Sequence, residues 1–583
     1  MPPTPALDGS QHLSLTESHL SAEATSWPEQ PAAGHPPSPR GSGDRAAHGS
    51  ESSQSHGGET LIEEGGDLDI VERVDGDLEK GEKGAAEGKG AEAIAGTEAP
   101  PLAADGTPVL VVDWKENDPA FPKNWSNRSR MGATFIVAAF TFLSPLSSTM
   151  ISPATAQLAA KFDITDAVLE SMVTSIFVLA YAIGPLFFGP ASELWGRTVV
   201  LQLANLIYLV FNFVCAFAPN TGSMLAFRFL AGLGGSAPLA IGAGVLGDLW
   251  RPEERGKAAS YYSLGPLIGP AVGPIAGGWI AQRVPNDGYR WVFFSTTIFC
   301  ALVQLFGLRF LKETYSPVLL HRQALALKKE MGLPKDSDKV QTVFEIRERK
   351  TLRHIITHGL IRPFSMFAAE HIIKVLAVYM GIIYGIIYLT ITSTTTIFTE
   401  IYGENVGLAG TNFIAQGLGF LIMAQIQGRL MDVLYRKLKN HYASDGKPEF
   451  RLPLMVPASI FLPLGLLLYG WGAEHHLHWI VVDIGMFFIA AGMIGNFQVI
   501  NLYLIDTFSI YAASALAAAT FLRSLCGFAF PLFATYMWEG IGYGWGCTLL
   551  ALVAMAVSWP AIPILYLYGE KIRKTSKYAV KKR

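Results

Sequence analysis

Two segments of this chain repeat a glycine, an acid and an arginine at one spacing. They are Gly189-Pro-Ala-Ser-Glu193-Leu-Trp-Gly196-Arg197 and Gly428-Arg-Leu-Met-Asp432-Val-Leu-Tyr-Arg436, all three positions displaced by 239 residues. Glycine permits a close turn, and an acid and an arginine four apart meet on one helical face. Each segment therefore predicts either a latch that grips a neighbouring helix end in one conformation and frees it in another, or a static ion pair. Asp248, at the end of a later apolar run, either joins that latch or opens the basic loop that follows. Arg228 lies inside an apolar run. A guanidinium at that depth needs a partner or a watery cavity unless it snorkels to the headgroups.

A second signal is Gly265-Pro266-Leu-Ile-Gly269-Pro270-Ala-Val-Gly273-Pro274-Ile-Ala-Gly277-Gly. Glycines every fourth residue make a groove into which another helix can dock closely. Each proline beside them removes a backbone donor and bends the helix. Packing explains the glycines but not why prolines keep the same register. Tyr384 and Tyr388 share a face at i and i+4, and the amides Gln416, Asn496 and Asn501 lie in apolar runs. These five are candidates to line a substrate cavity, with interhelical bonding as the structural alternative.

Enzyme-like patterns do not hold up. Gly232-Leu-Gly234-Gly235 sits within an apolar run and not after a strand, so it is no dinucleotide loop. The four cysteines show no metal-binding or disulfide spacing. No metal site or cofactor is expected.

The elements that must position these residues are apolar stretches of about 20 residues, enough for a helix to cross ~30 Å of hydrocarbon. Twelve are expected: 131–152, 168–188, 198–218, 224–247, 259–281, 291–311, 368–394, 408–430, 453–473, 479–504, 510–536 and 544–568. Only 16% of the chain is charged, against roughly 25% in soluble proteins. The net charge of −3 averages two different segments: residues 1–107 hold 20 acids against 6 bases, and the other 28 acids and 39 bases leave +11. The basic excess is spread over alternate connections, which disfavours nucleic-acid binding and predicts cytoplasmic termini and central loop. The expected organisation is a disordered acidic tail over 1–125, a six-helix half over 126–311 and a cytoplasmic loop over 312–365. A second six-helix half then follows over 366–568, with a basic tail over 569–583. Within the tail's end, Trp114 and Trp125 suit the headgroup zone. Duplicated halves rocking about a central site are the mark of secondary transporters.

Several segments add a family likeness: the Asp118-Pro-Ala-Phe-Pro-Lys-Asn-Trp125 entry, Ser144-Pro-Leu-Ser-Ser-Thr-Met-Ile-Ser-Pro153, the motif at 189–197, Arg228 to Gly235, and the Gly-Pro series. To these are added Asp506, Tyr511-Ala-Ala-Ser-Ala515 and Arg523. Together they resemble the major facilitator superfamily, and within it the fungal twelve-spanner drug:proton antiporters. The resemblance implies an all-α membrane protein in which Arg228 takes part in proton coupling, the 189–197 loop gates the inner face, and the Gly-Pro helix marks an antiporter. Export of a small amphipathic drug or secondary metabolite by a plasma- or vacuolar-membrane monomer follows, with the proton gradient as energy source. Departures are Leu194 and Thr198, where the family carries basic residues. The first span lacks a carboxylate, which leaves Glu170, Asp248, Glu370, Asp483 and Asp506 as proton-carrier candidates. The competing readings are a proton-coupled nutrient symporter and a membrane-embedded enzyme; the second lacks a His or Cys paired with an acid.

Overall fold

A computed structural model of the chain describes residues 109–115, 117–347, 352–443 and 446–579. The acidic segment 1–107, expected to be disordered, lies outside the described residues. The rest is built almost wholly from helices. The first half comprises α1 (Asn127–Thr149), a short α2 (Thr155–Phe162), α3 (Ala167–Trp195), α4 (Arg197–Cys215), α5 (Thr221–Leu249), α6 (Pro252–Arg283) and α7 (Gly288–Phe310). The second comprises α11 (His371–Thr396), short α12 (Val406–Thr411), α13 (Phe413–His441), α14 (Met455–Glu474), α15 (Trp479–Phe508) and α16 (Ala512–Thr575).

Local chemistry sets the helix ends. Ser126 and Asp166 cap α1 and α3 through their side chains, and Asn220 and Ser223 form a reciprocal capping box at α5. Among the described residues, ten helical stretches are long and apolar enough to cross a bilayer. The last, Trp479–Thr575, has 97 residues, several times the length that ~30 Å of hydrocarbon needs. It is broken at Ser509 (φ 28°) and at Gly542 (φ 74°), conformations that interrupt a right-handed helix.

Two expectations require correction. Residues 109–125 are not a disordered tail: β1 (Leu110–Val112) pairs in parallel with β2 (Val340–Thr342). Trp114, expected among headgroups, packs with Val112, Leu320, Ala324 and Val340 in a small apolar cluster. The polar segment 312–365 is likewise no simple loop, since it carries α8 (Ser316–Glu330), α9 (Val343–Arg347) and α10 (Leu352–Ala369). The strands are missed because three-residue apolar alternations are too short to register until a distant partner covers them, and α8 and α10 because neither offers an apolar run of membrane length.

The main core runs through both halves, joining Phe177, Tyr208 and Phe293 to Ile383, Tyr388 and Phe497. Large apolar side chains such as Leu305, Leu308, Leu552 and Leu567 stay exposed on the outside. An apolar exterior around a partly polar seam inverts the soluble pattern and suits lipid.

Candidate functional site: a polar seam and two arginine latches

The Gly-Pro helix docks on α1 as its spacing predicts. A Cβ added at Gly265 would meet the carbonyl of Ala138 at 2.9 Å, and one at Gly269 the backbone of Phe142 and Leu146 at 3.0 Å. At Gly273 it would lie 2.8 Å from the Leu146 carbonyl, and at Gly277 it would overlap the carbonyl oxygen of Met150. The docking helix also supplies an account of one proline. Pro274 has no N–H to give the carbonyl of Pro270 four residues back, and the Thr149 hydroxyl donates to that carbonyl across the interface at 3.3 Å. The other face of α6 meets the second half, where Gly278 touches the backbone of Val406 and Gly410.

Arg228 is completely buried on α5, the one charged side chain with no exposure among the described residues. It does not snorkel. Its Nε donates to the Val173 carbonyl at 3.0 Å, Nη1 to Ser147 at 3.1 Å, and Nη2 to Ser148 and Thr174 at 3.4 and 3.5 Å. The Phe177 ring lies 4.7 Å from the guanidinium. One side chain thus ties α5 to α1 and α3, with every bond accepted by backbone. The glycines beside it serve packing: Gly232 abuts Phe177, Gly234 abuts Ala204 and Tyr208, and Gly235 abuts Ser144.

The serines of α1 continue the seam. Ser144 Oγ pairs with the Tyr181 hydroxyl at 2.7 Å, Ser147 with Tyr208, and Ser148 with Tyr388 at 3.0 Å across the two halves. Tyr384 and Tyr388 do meet, with ring centroids 5.0 Å apart, and Tyr384 stacks near-parallel to Phe497 at 6.0 Å. The Arg523 guanidinium lies 4.8 Å from the Tyr384 ring and 5.6 Å from that of Phe497. The amides are less united. Asn496 donates within its own helix to Gly492, leaving its Oδ1 buried and unpartnered; Gln416 keeps a buried, unpartnered Nε2; Asn501 is half-buried on α15.

At the end of the bundle that bears the termini, the expected Glu193–Arg197 pair does not form. Gly196 adopts φ 101° and ψ 152°, ending α3 so that α4 starts at Arg197. Four residues no longer share a helical face once the axis breaks between them, and Glu193 is exposed. Arg197 instead lies 3.5 Å from Asp248, donates to Ser192 Oγ at 2.6 Å and covers the Tyr315 ring at 4.6 Å. Asp248 is therefore the acid that pairs with Arg197. The acid at the turn is Glu313, which the sequence reading missed. Its carboxylate accepts the backbone N–H groups of Arg197, Thr198, Thr314 and Tyr315 at 2.9 to 3.2 Å, an anion held at the start of α4. Any Cβ at Gly196 would strike that carboxylate.

The second copy of the motif is not built the same way. Tyr435 stands where the first copy has Gly196, so α13 runs unbroken through it to His441. Gly428 has no neighbour within 4 Å of an added Cβ, Asp432 and Arg436 are exposed, and Arg436 Nε donates to the backbone carbonyl of Asp432 at 3.2 Å. The structural counterpart of Arg197–Asp248 is Arg451–Asp506, with Nε to Oδ2 2.6 Å. Arg451 precedes α14 and Asp506 nears the end of α15, the same two places that Arg197 and Asp248 take in the first half. Beside it Arg573 grips Glu449 through two bonds of 2.8 and 3.0 Å. Of the other carboxylates considered for the proton, Glu370 accepts the Lys577 N–H at 3.2 Å, while Asp483, near the opposite end, keeps a buried oxygen without a hydrogen-bond partner.

Helical halves packed along a polar seam, with an arginine–aspartate pair at one end of each, define a polytopic membrane carrier. Residues 137–531 match the family model of the Major Facilitator Superfamily, and the chain belongs to that superfamily. It is 42% identical over 472 residues to the efflux pump vrtL of Penicillium aethiopicum, covering 81% of this chain and 92% of that protein. It is 38% identical to the MFS-type transporter penM of Penicillium rubens, covering 81% and 91%. Among solved structures, a peptide transporter POT mutant in complex with alafosfalin matches with a TM-score of 0.56 at 13% identity, covering 79% of this chain and 98% of that one. The xylose transporter XylE from E. coli, in a partially occluded inward open conformation, matches with 0.55 at 14%, covering 76% and 98%. The chain is a multi-pass transporter and not an enzyme.

Proposed function

We propose that the protein exports a small amphipathic molecule, a drug or secondary metabolite, in exchange for protons, by alternating access across the plasma membrane. In this reading it acts as a monomer with both termini cytoplasmic, and each of the three pieces of Trp479–Thr575 crosses the bilayer, giving twelve spans. The observation that carries alternating access is where the halves touch. Toward the end away from the termini they are bonded directly, through Ser152 Oγ to the Ile391 carbonyl at 3.0 Å, Trp279 Nε1 to Thr411 at 3.2 Å, and the Gly407 N–H to Gln282 at 3.0 Å. At the terminus-bearing end the arginine pairs stay within their own halves, Arg197 with Asp248 and Arg451 with Asp506. A carrier whose halves are bonded directly at the far end, and at the near one meet through α10, which packs on both α3 and α16, is arranged to load from the side of its termini. The efflux-pump relatives support export as the direction.

Proton and substrate must favour different states, because a ligand that binds both equally shifts nothing. We assign the proton to Asp483, whose unpartnered buried oxygen lies near Tyr402 and Glu404, and the coupling charge to Arg228. The test is flux in inverted vesicles energised by an imposed pH gradient, with a fluorescent amphiphile as cargo. Wild-type protein should accumulate it as protons leave, Asp483→Asn should transport without responding to the gradient, and Arg228→Ala should insert normally yet lose proton-driven uptake. Accumulation together with protons, or full activity of Arg228→Ala, refutes the reading.

A further inference from the structure

The two arginines of the seam are held in opposite ways. Arg228 gives its N–H groups to four backbone carbonyls and is complete as it stands. Arg523, twelfth residue of α16 and half-buried, has no ion pair and no hydrogen bond among the described residues. Its Nε is buried without a partner, and its guanidinium rests only on the rings of Tyr384 and Phe497. Ring faces attract a cation but accept none of its N–H groups in the plane of the fork.

Nor does any of the carboxylates considered for the proton stand near it among the described residues. Asp248 and Asp506 are committed to Arg197 and Arg451 at the terminus-bearing end, and Glu370 there accepts the Lys577 N–H. Glu170 in the first turn of α3 and Asp483, fifth residue of α15, stand at the opposite end. Arg228 and Arg523 both stand away from those carboxylates, and both are positive. A half-buried guanidinium whose Nε has lost water and gained no acceptor is incompletely satisfied, so the site can take up an anion.

We propose that Arg523, flanked by Tyr384 and Phe497, is an anion subsite, and that the transported molecule presents an ionised carboxyl group joined to a planar apolar body. The planar fork takes both carboxylate oxygens at once, and the two aromatic faces border the apolar part. This rests on the reading of the seam as the substrate path, and it adds that the cargo is an organic acid and not a neutral or cationic amphiphile.

The test compares 2-naphthoate with its neutral isostere 2-naphthamide, titrated calorimetrically into the purified full-length protein. Wild type should bind naphthoate at least about tenfold more tightly than the amide, a comparison that needs no variant to fold. Arg523→Gln should weaken naphthoate by about ten- to a hundredfold, as for lost charge-assisted hydrogen bonds, and leave the amide within about twofold. Arg523→Lys, which keeps the charge but loses the fork, should fall between. Equal affinity for the two probes, no binding of either at millimolar concentration, or naphthoate binding unchanged in Arg523→Gln overturns the assignment. Failure of the export reading would look different: naphthoate binds as expected but inverted vesicles do not concentrate it.

Discussion

Replacing Gly277 by alanine places one methyl carbon where the Met150 carbonyl oxygen already lies, and 3.0 Å from the carbonyl carbon. Both atoms are backbone of Met150, the residue that caps the end of α1, so no side chain can swing aside; α6 and the end of α1 must separate. Overpacking of this kind costs about 1–3 kcal/mol. Alanine also favours any helix over glycine by about 1 kcal/mol, a gain that must be removed by a control. Gly428→Ala provides it, being helical and having nothing within 4 Å. Gly277→Ala should thus be less stable than Gly428→Ala by about 1–3 kcal/mol, read as midpoint differences in thermal unfolding of the purified protein. Gly269→Ala, whose nearest neighbours are at 3.0 Å, should fall between them. Transport should follow the same order, because the α1–α6 seam must stay closed while the halves move. If Gly277→Ala is as stable as Gly428→Ala and transports normally, the glycine register is not a docking device and the reasoning fails.

Glu313→Gln should unfold several degrees lower and lose transport, since an amide cannot accept all four N–H groups with comparable strength, whereas Glu193→Gln should be indistinguishable from wild type in both measurements. Tyr388→Phe removes the Ser148 bond between the halves, worth about 1 kcal/mol. Spin labels on cysteines introduced at positions 285 and 403 should therefore report about a fivefold rise in the separated population at that end. Near β2, burial raises the Glu345 carboxyl, but bonds from the Thr342 N–H and His321 outweigh it and hold the group below its ordinary value of 4.5. Its contribution to this small lobe is thus present above that value and lost as pH falls through the lower folded one; hydrogen exchange at Thr342 should accelerate only in that acid range, and not in Glu345→Gln.

Much of the site was legible because membrane burial leaves blunt signals. An arginine within an apolar run, a glycine every fourth residue and a pair of tyrosines one turn apart each has few physical explanations, and the structure uses Arg228, Gly265 to Gly277, and Tyr384 with Tyr388 as interhelical contacts. The latch was legible in composition but not in pairing. Gly196 is marked in the sequence, yet that it would take a positive φ and part Glu193 from Arg197 depends on Glu313, more than a hundred residues away. The same spacing misled in the second half, where Tyr435 keeps the helix intact and Arg451 takes the arginine's place beyond a longer connection. Glu313 itself gave one weak signal, an acid just past an apolar helix in a basic segment.

The sequence by itself determined the class: alternating apolar runs and basic connections can satisfy their backbone in lipid only as helices, and that follows from local composition. What the tertiary structure alone decided is which polar groups are finished and which are not. Arg228 and Arg523 look alike in the sequence, each a guanidinium in an apolar helix. Only packing reveals that four carbonyls from two other helices surround the first, while the second faces two rings and no acceptor. Hydrogen-bond satisfaction is a property of neighbours brought together from distant parts of the chain, and no local pattern encodes it.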